Sequence, residues 1–199
     1  ILHILSILTT KGNVGTAVEY FGPGVATLSV PERATITNMG AELGVTASVF
    51  PSDETTRSFL DAQERGDCWQ LLAADEDAEY DRIIDLNLST LEPLAACPSS
   101  PGSIASVASL AGLAVSQVVI GSCTNSSLKD LTMVARVLAG RKVHPDVSLG
   151  IAPGSRQVLE MLARDGNLAE LVRSGARILE SACGPCIGQG FSPASDSVS

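Results

Sequence analysis

The sequence is short of positive charge: 13 Lys and Arg stand against 22 Asp and Glu, for a formal net charge of −9, and there are only two histidines. A chain this acidic does not supply the phosphate contacts on which nucleic-acid binding rests, so that class is set aside. It contains neither an apolar run of about 18 residues nor a basic segment leading to a cleavage site, so membrane insertion and export are not indicated. Five cysteines, an odd number without framework spacing, do not make a disulfide scaffold. That usage suits a reducing compartment, and the cytoplasm is the expected location. The acidic run Asp75, Glu76, Asp77, Glu79 and Asp81 lacks the glycine and the terminal glutamate of an EF-hand and reads as a solvated face. No GxGxxG turn is present, which excludes a nicotinamide-type site.

A length of 199 residues with 45% hydrophobic content permits one domain or two small ones with a real core. The chemistry concentrates in VVIGSCTNSSLKDL, Val118 to Leu131, and SACGPCIGQG, Ser181 to Gly190. The β-branched run Val118–Ile120 stops at Gly121 and is followed by a polar turn and a helical pattern, with Ser127 and Asp130 spaced as a capping box. Cys123 therefore sits in a turn near a helix amino end, where free N–H groups favour a thiolate. Ligands in open α/β sheets collect at such strand ends. Cys183 and Cys186 form a CxxC around Gly184 and Pro185.

Several readings of these thiols stay open on spacing alone. A thioredoxin-like redox pair does not explain the third cysteine. A closed zinc site wants a fourth ligand, and Cys68, Cys97 and His144 have no motif spacing. A cubane cluster with three thiolates and one open iron fits better, and unliganded buried cysteines are the bland reading.

The strings GSCTNSSLKD at Gly121–Asp130 and ACGPCIGQG at Ala182–Gly190 resemble the cluster-binding signatures of the aconitase superfamily. VEYFGPGV at Val18–Val25, ATITNMGAELGVTASVFPSDE at Ala34–Glu54 and IIDLNLSTLEP at Ile83–Pro93 resemble the same family's middle region, in the expected order. The resemblance implies that Cys123, Cys183 and Cys186 bind three irons of a [4Fe-4S] cluster, with Asn125 beside it. It also implies that Glu19 is an active-site carboxylate near the open iron. Phe21 stands where some aconitases have histidine, so a role tied to that imidazole is absent. The family's further histidines and arginines and its catalytic serine belong to segments not matched here. The chain thus resembles an excised middle portion, expected to be inactive alone and to lose its cluster readily. Its implied partners are the rest of the parent enzyme, including a swivelling domain or small subunit, and a tricarboxylate or 2-hydroxy acid substrate.

Along the chain, Ile1–Leu8 reads as a core helix or strand, with His3 a packed histidine. A helix is expected from Ser29 to near Gly44, a strand over Val45–Phe50, and a helix over Thr55–Gln63 capped by Ser52. Ile83–Leu88 alternates as a strand does. Glu92–Ser103, rich in Pro and Ser, reads as a linker between subdomains 1–92 and 103–199. The second half then alternates: a small-residue helix Ile104–Leu110, strands Gln117–Ile120, Val147–Ala152 and Ala176–Leu179, and helices Leu128–Leu138, one after Ser155, and Leu168–Ser174. Ser155 and Arg156, at a strand-to-helix turn, could bind a carboxylate. The tail Ser192–Ser199 reads as disordered. This alternation predicts an α/β fold, three-layer α/β/α with a mainly parallel sheet, as in aconitase-like middle domains. The implied activity is interconversion of citrate and isocitrate through cis-aconitate. Homoaconitate or 3-isopropylmalate dehydration is one alternative and a non-enzymatic metal-binding or regulatory module another.

Overall fold

The computed structural model describes residues 1–192, so positions 193–199 of the expected disordered tail lie outside the described residues. The chain divides into two compact units, Ile1–Ala111 and Gly112–Ser199.

The first unit opens with helix α1 (Leu2–Leu8), whose Ile4 and Leu5 are buried with Leu43 and flanked by Leu8, Tyr20, Val45 and Ile104. Strand β1 (Ala17–Glu19) is followed by helix α2 (Val30–Asn38), which begins at the expected Ser29 because Glu32 closes a capping box. The Glu32 carboxylate accepts from the Ser29 amide at 2.8 Å. A short helix, α3 (Gly40–Leu43), ends at Gly44, whose φ of 72° is the left-handed conformation that glycine adopts without a Cβ clash. Strand β2 (Ala47–Val49) then pairs in parallel with β1, Glu19 opposite Val49. Helix α4 (Glu54–Ala62) is capped one residue later than expected, by Asp53, which accepts from the Thr56 amide at 3.1 Å. Ser52 is committed elsewhere, its backbone bridging Leu72.

Two expected elements are corrected. Ile83–Leu88 forms no strand; its alternation has no partner ladder among the described residues, and Ile83 is 61% exposed. Ile104–Leu110 is not a helix: β3 (Leu94–Ala96) and β4 (Ile104–Ser106) form an antiparallel pair, and a single 3-10 turn, Val107–Leu110, follows. Ile104 joins the apolar cluster around α1, and Ser106 accepts from the Ala108 amide at 3.3 Å, so the segment extends first and turns only after that cap. The hairpin occupies much of the stretch expected as a linker.

The second unit follows the βα alternation read from sequence. β5 (Gln117–Ile120), α5 (Leu128–Leu138), β6 (Ser148–Ile151), α6 (Arg156–Arg164), α7 (Asn167–Ser174) and β7 (Arg177–Ile178) build a parallel sheet in the order β5-β6-β7. Leu149 and Ile151 alternate onto the side where Leu131, Ala135, Leu162 and Leu171 are buried, joined by Val118, Ile120 and Ile178. Each fully buried Leu or Ile there stabilises the unit by roughly 1.5–3 kcal/mol. On the opposite side Gly150 is required by packing: a Cβ on it would lie 2.8 Å from the Phe191 ring. Arg177 lies over that same ring at 5.1 Å. The architecture is mixed α/β with mainly parallel pairing, as expected for an aconitase-like α/β/α domain. No helix among the described residues is long and apolar enough to cross a membrane.

Candidate functional site

In the second unit the turn after β5 is fastened at several points. The capping box of α5 is formed: the Ser127 hydroxyl accepts from the Asp130 amide at 3.2 Å, and the Asp130 carboxylate accepts from the Ser127 amide at 3.1 Å. Ser126, buried, donates its hydroxyl to the Ser122 carbonyl, and its own carbonyl accepts from the Gly154 amide at 3.1 Å. The Ala152 amide donates to the Ile120 carbonyl at 2.8 Å. Cys123 and Asn125 are exposed on the turn so held, near the ends of parallel strands where α/β sheets place ligands.

The second turn is built differently. Pro185–Ile187 makes one 3-10 turn, and the Gln189 amide closes back on the Gly184 carbonyl at 2.7 Å. Cys183 precedes that turn and Cys186 lies within it, both exposed. Sixty-four residues apart in sequence, Ser122 Oγ and Cys186 Sγ meet at 3.5 Å, which brings the CGPC turn against the turn of Cys123. None of the five cysteines is in a disulfide. Three thiols on small-residue turns are the soft donor set that iron–sulfur clusters use, and in that chemical sense the residues fit. The side chains do not, however, close into a metal-holding group of His, Cys, Asp or Glu among the described residues. Nearby, Ser155, Arg156, Leu159, Leu179 and Glu180 line a cleft of about 710 Å³ at the start of α6. Arg156 is exposed there, and Ser155 accepts from the Val158 amide at 3.1 Å as the helix cap.

Glu19 belongs to the first unit. It ends β1, half-buried, and its Oε2 accepts from the Tyr80 phenol at 3.1 Å. Tyr80 stacks on Phe21 with ring centroids 5.2 Å apart and planes 17° apart. Burial, then the neighbouring Glu19 hydrogen bond and charge, push the Tyr80 phenol above its ordinary pKa, so it remains a proton donor. Tyr20, one residue after Glu19, stacks instead on Phe50 at 4.5 Å. Phe50 in turn lies 5.9 Å from the guanidinium of Arg33, a buried group that pairs with both Asp53 oxygens, at 2.9 and 2.7 Å, and donates to the carbonyls of Val25, Leu28 and Pro51. The Arg33 hydrogen bonds hold the Asp53 carboxyl down at about 2; burial opposes this and the Thr56 amide assists it. Sequence reasoning did not find Tyr80, which lies inside the acidic run between Glu79 and Asp81, and gave no role to Ser122, although the GSCTNSSLKD string contains it.

The parallel strands of this unit and the two small-residue thiol turns joined by the Ser122–Cys186 contact place it among α/β proteins. The model of the Aconitase family (aconitate hydratase) matches residues 1–111 and 104–198, and the chain belongs to that family. It is 42% identical over 211 residues to an aconitase–ribosomal protein bL21m fusion protein of Schizosaccharomyces pombe, covering 94% of this chain and 23% of that protein. It is 40% identical over 208 residues to the mitochondrial aconitate hydratase of Candida albicans (95% and 27%), and 36% identical over 188 residues to the 3-isopropylmalate dehydratase large subunit of Elusimicrobium minutum (94% and 45%). The chain thus spans between 23% and 45% of the length of these relatives. Membership places it in the aconitase and isopropylmalate dehydratase superfamily of iron–sulfur hydro-lyases. The expected cytoplasmic location is overturned: the aconitate hydratases among its relatives are mitochondrial by name. Cysteine usage separates reducing from oxidising surroundings and does not distinguish one reducing compartment from another.

Proposed function

We propose that this chain supplies the cluster-holding turns and a proton-handling carboxylate of a hydro-lyase that interconverts citrate and isocitrate through cis-aconitate. The observation that carries the reading is the contact of Ser122 with Cys186, which joins the two thiol turns within one parallel α/β unit. Cys123, Cys183 and Cys186 would hold three irons of a [4Fe-4S] cluster, with Asn125 beside them. When bound, such a cluster supplies a Lewis-acidic iron toward hydroxyl and carboxylate oxygens.

The chain's own residues have distinct tasks. Glu19 gives a proton to the departing hydroxyl oxygen in dehydration and takes it back in hydration. The carbon-bound proton falls to a serine base that family resemblance assigns to a segment not matched here, and the substrate's carboxylates to arginines of the rest of the enzyme. Partners are accordingly a tricarboxylate substrate and the remainder of the parent enzyme. Dehydration of 3-isopropylmalate is the second reading, supported by the 36% identity of the chain to the 3-isopropylmalate dehydratase large subunit.

Anaerobic iron and sulfide reconstitution of single Cys→Ser variants tests the ligand set. Cys123→Ser, Cys183→Ser and Cys186→Ser should each lose cluster absorbance and bound iron, while Cys68→Ser and Cys97→Ser retain both. Equal loss in Cys97→Ser would require a different ligand set. Relative turnover of citrate and 3-isopropylmalate by the full-length enzyme separates the two substrate readings.

A further inference from the structure

Extended backbone sends alternate side chains to opposite sides, and β1 runs out in that way. Tyr20 turns to Phe50, whereas Glu19 and Phe21 both meet Tyr80, one by a hydrogen bond of 3.1 Å and the other by ring stacking at 5.2 Å. The partner comes from 61 residues further along the chain, so the contact is a product of folding and not of local geometry. We infer that Tyr80 is a positioning residue for Glu19: its phenol occupies Oε2 and fixes the carboxylate rotamer, leaving Oε1 to exchange the proton, while Phe21 holds the phenol in place. The inference rests on the reading of Glu19 as the proton-handling group.

The chemistry of the pair supports that role. A phenol that keeps its proton is a permanent donor and does not compete with Glu19 as a base. A glutamate with one oxygen tied loses rotational freedom before substrate arrives, and a reacting group held in place reacts faster than one that must be found. A purely structural role is the competing account, in which Tyr80 merely tethers the acidic run that contains it to β1.

A double-mutant cycle in the cluster-loaded, full-length enzyme separates these accounts. Tyr80→Phe should lower kcat roughly tenfold with KM nearly unchanged, and should have no further effect in a Glu19→Gln background. An equal loss in both backgrounds would make Tyr80 a tether, and unchanged turnover in Tyr80→Phe would remove it from the mechanism. Should Glu19→Gln itself turn over normally, the reading of Glu19 fails first and takes this inference with it. Glu19→Gln slow beside Tyr80→Phe normal sinks the inference alone. A readout that needs neither cluster nor turnover is NMR titration of ring-labelled tyrosine, with the Tyr80 signal assigned by its loss in Tyr80→Phe. Glu19→Gln should lower the Tyr80 midpoint, and an unmoved midpoint would show that the contact is not made in solution.

Discussion

In the second unit the interior of the described residues carries no charged side chain: Leu131, Ile151, Leu162 and Leu171 are fully enclosed between a three-stranded parallel sheet and its helices, and the buried polar residues, Gln117, Ser122, Ser126 and Ser174, are neutral. The first unit has only two-stranded sheets and a smaller apolar cluster, and in it a buried guanidinium, Arg33, gathers three carbonyls and a carboxylate. An apolar interior tolerates the loss of any one neighbour by degrees, whereas a buried charge depends on one counter-ion. The two halves should therefore fail in different ways.

The largest effect is expected from Asp53→Ala, which leaves Arg33 buried and unpaired; about 3–5 kcal/mol should be lost, confined to the first unit. Hydrogen exchange resolved along the sequence would show it, and equal deprotection of α5 to α7 would end the claim that the two interiors are separate. Leu162→Ala, the counterpart test, should cost about 2–4 kcal/mol and deprotect only the second unit.

Next in size, Gly150→Ala should cost about 1–3 kcal/mol by driving a methyl into Phe191. Adding Phe191→Leu should recover much of that loss in denaturant unfolding, and no recovery would relocate the strain.

Acid gives the smallest effect. The folded Asp53 carboxyl, at about 2, lies below the unfolded value of about 3.9. Its contribution is therefore complete above the unfolded value and is lost as pH falls through about 2. Unfolding followed from pH 5 downward should weaken the first unit through this pair, and the Asp53→Ala protein should lack that component.

The second unit was the more legible in sequence for the same reason that it is the simpler. Val118–Ile120, the Ser127–Asp130 box and the apolar spacing of α5 are local signals, and the packed sheet agrees with them. Glu19 and the three cysteines could be singled out by their unusual neighbours and by resemblance. Tyr80 could not, because it meets Glu19 only through a contact across 61 residues, and Ser122, though next to Cys123 in sequence, gains its link to Cys186 only across 64. Arg33 reads as one more polar residue on a helix until Asp53, Pro51 and Val25 are folded around it. Ile83–Leu88 shows the converse: an alternating pattern makes a strand only where another strand offers a ladder.

The Cys123 turn is closed by Ser126, Gly154 and the α5 cap, with no thiol among those fastenings. The backbone of that turn is therefore set when the polypeptide folds, ahead of anything its exposed thiol would bind. If the proposed function holds, binding at that turn orders less chain than binding to an open loop, because the backbone hydrogen bonds are already made. A group held there as proposed would, on leaving, leave behind the same backbone that received it.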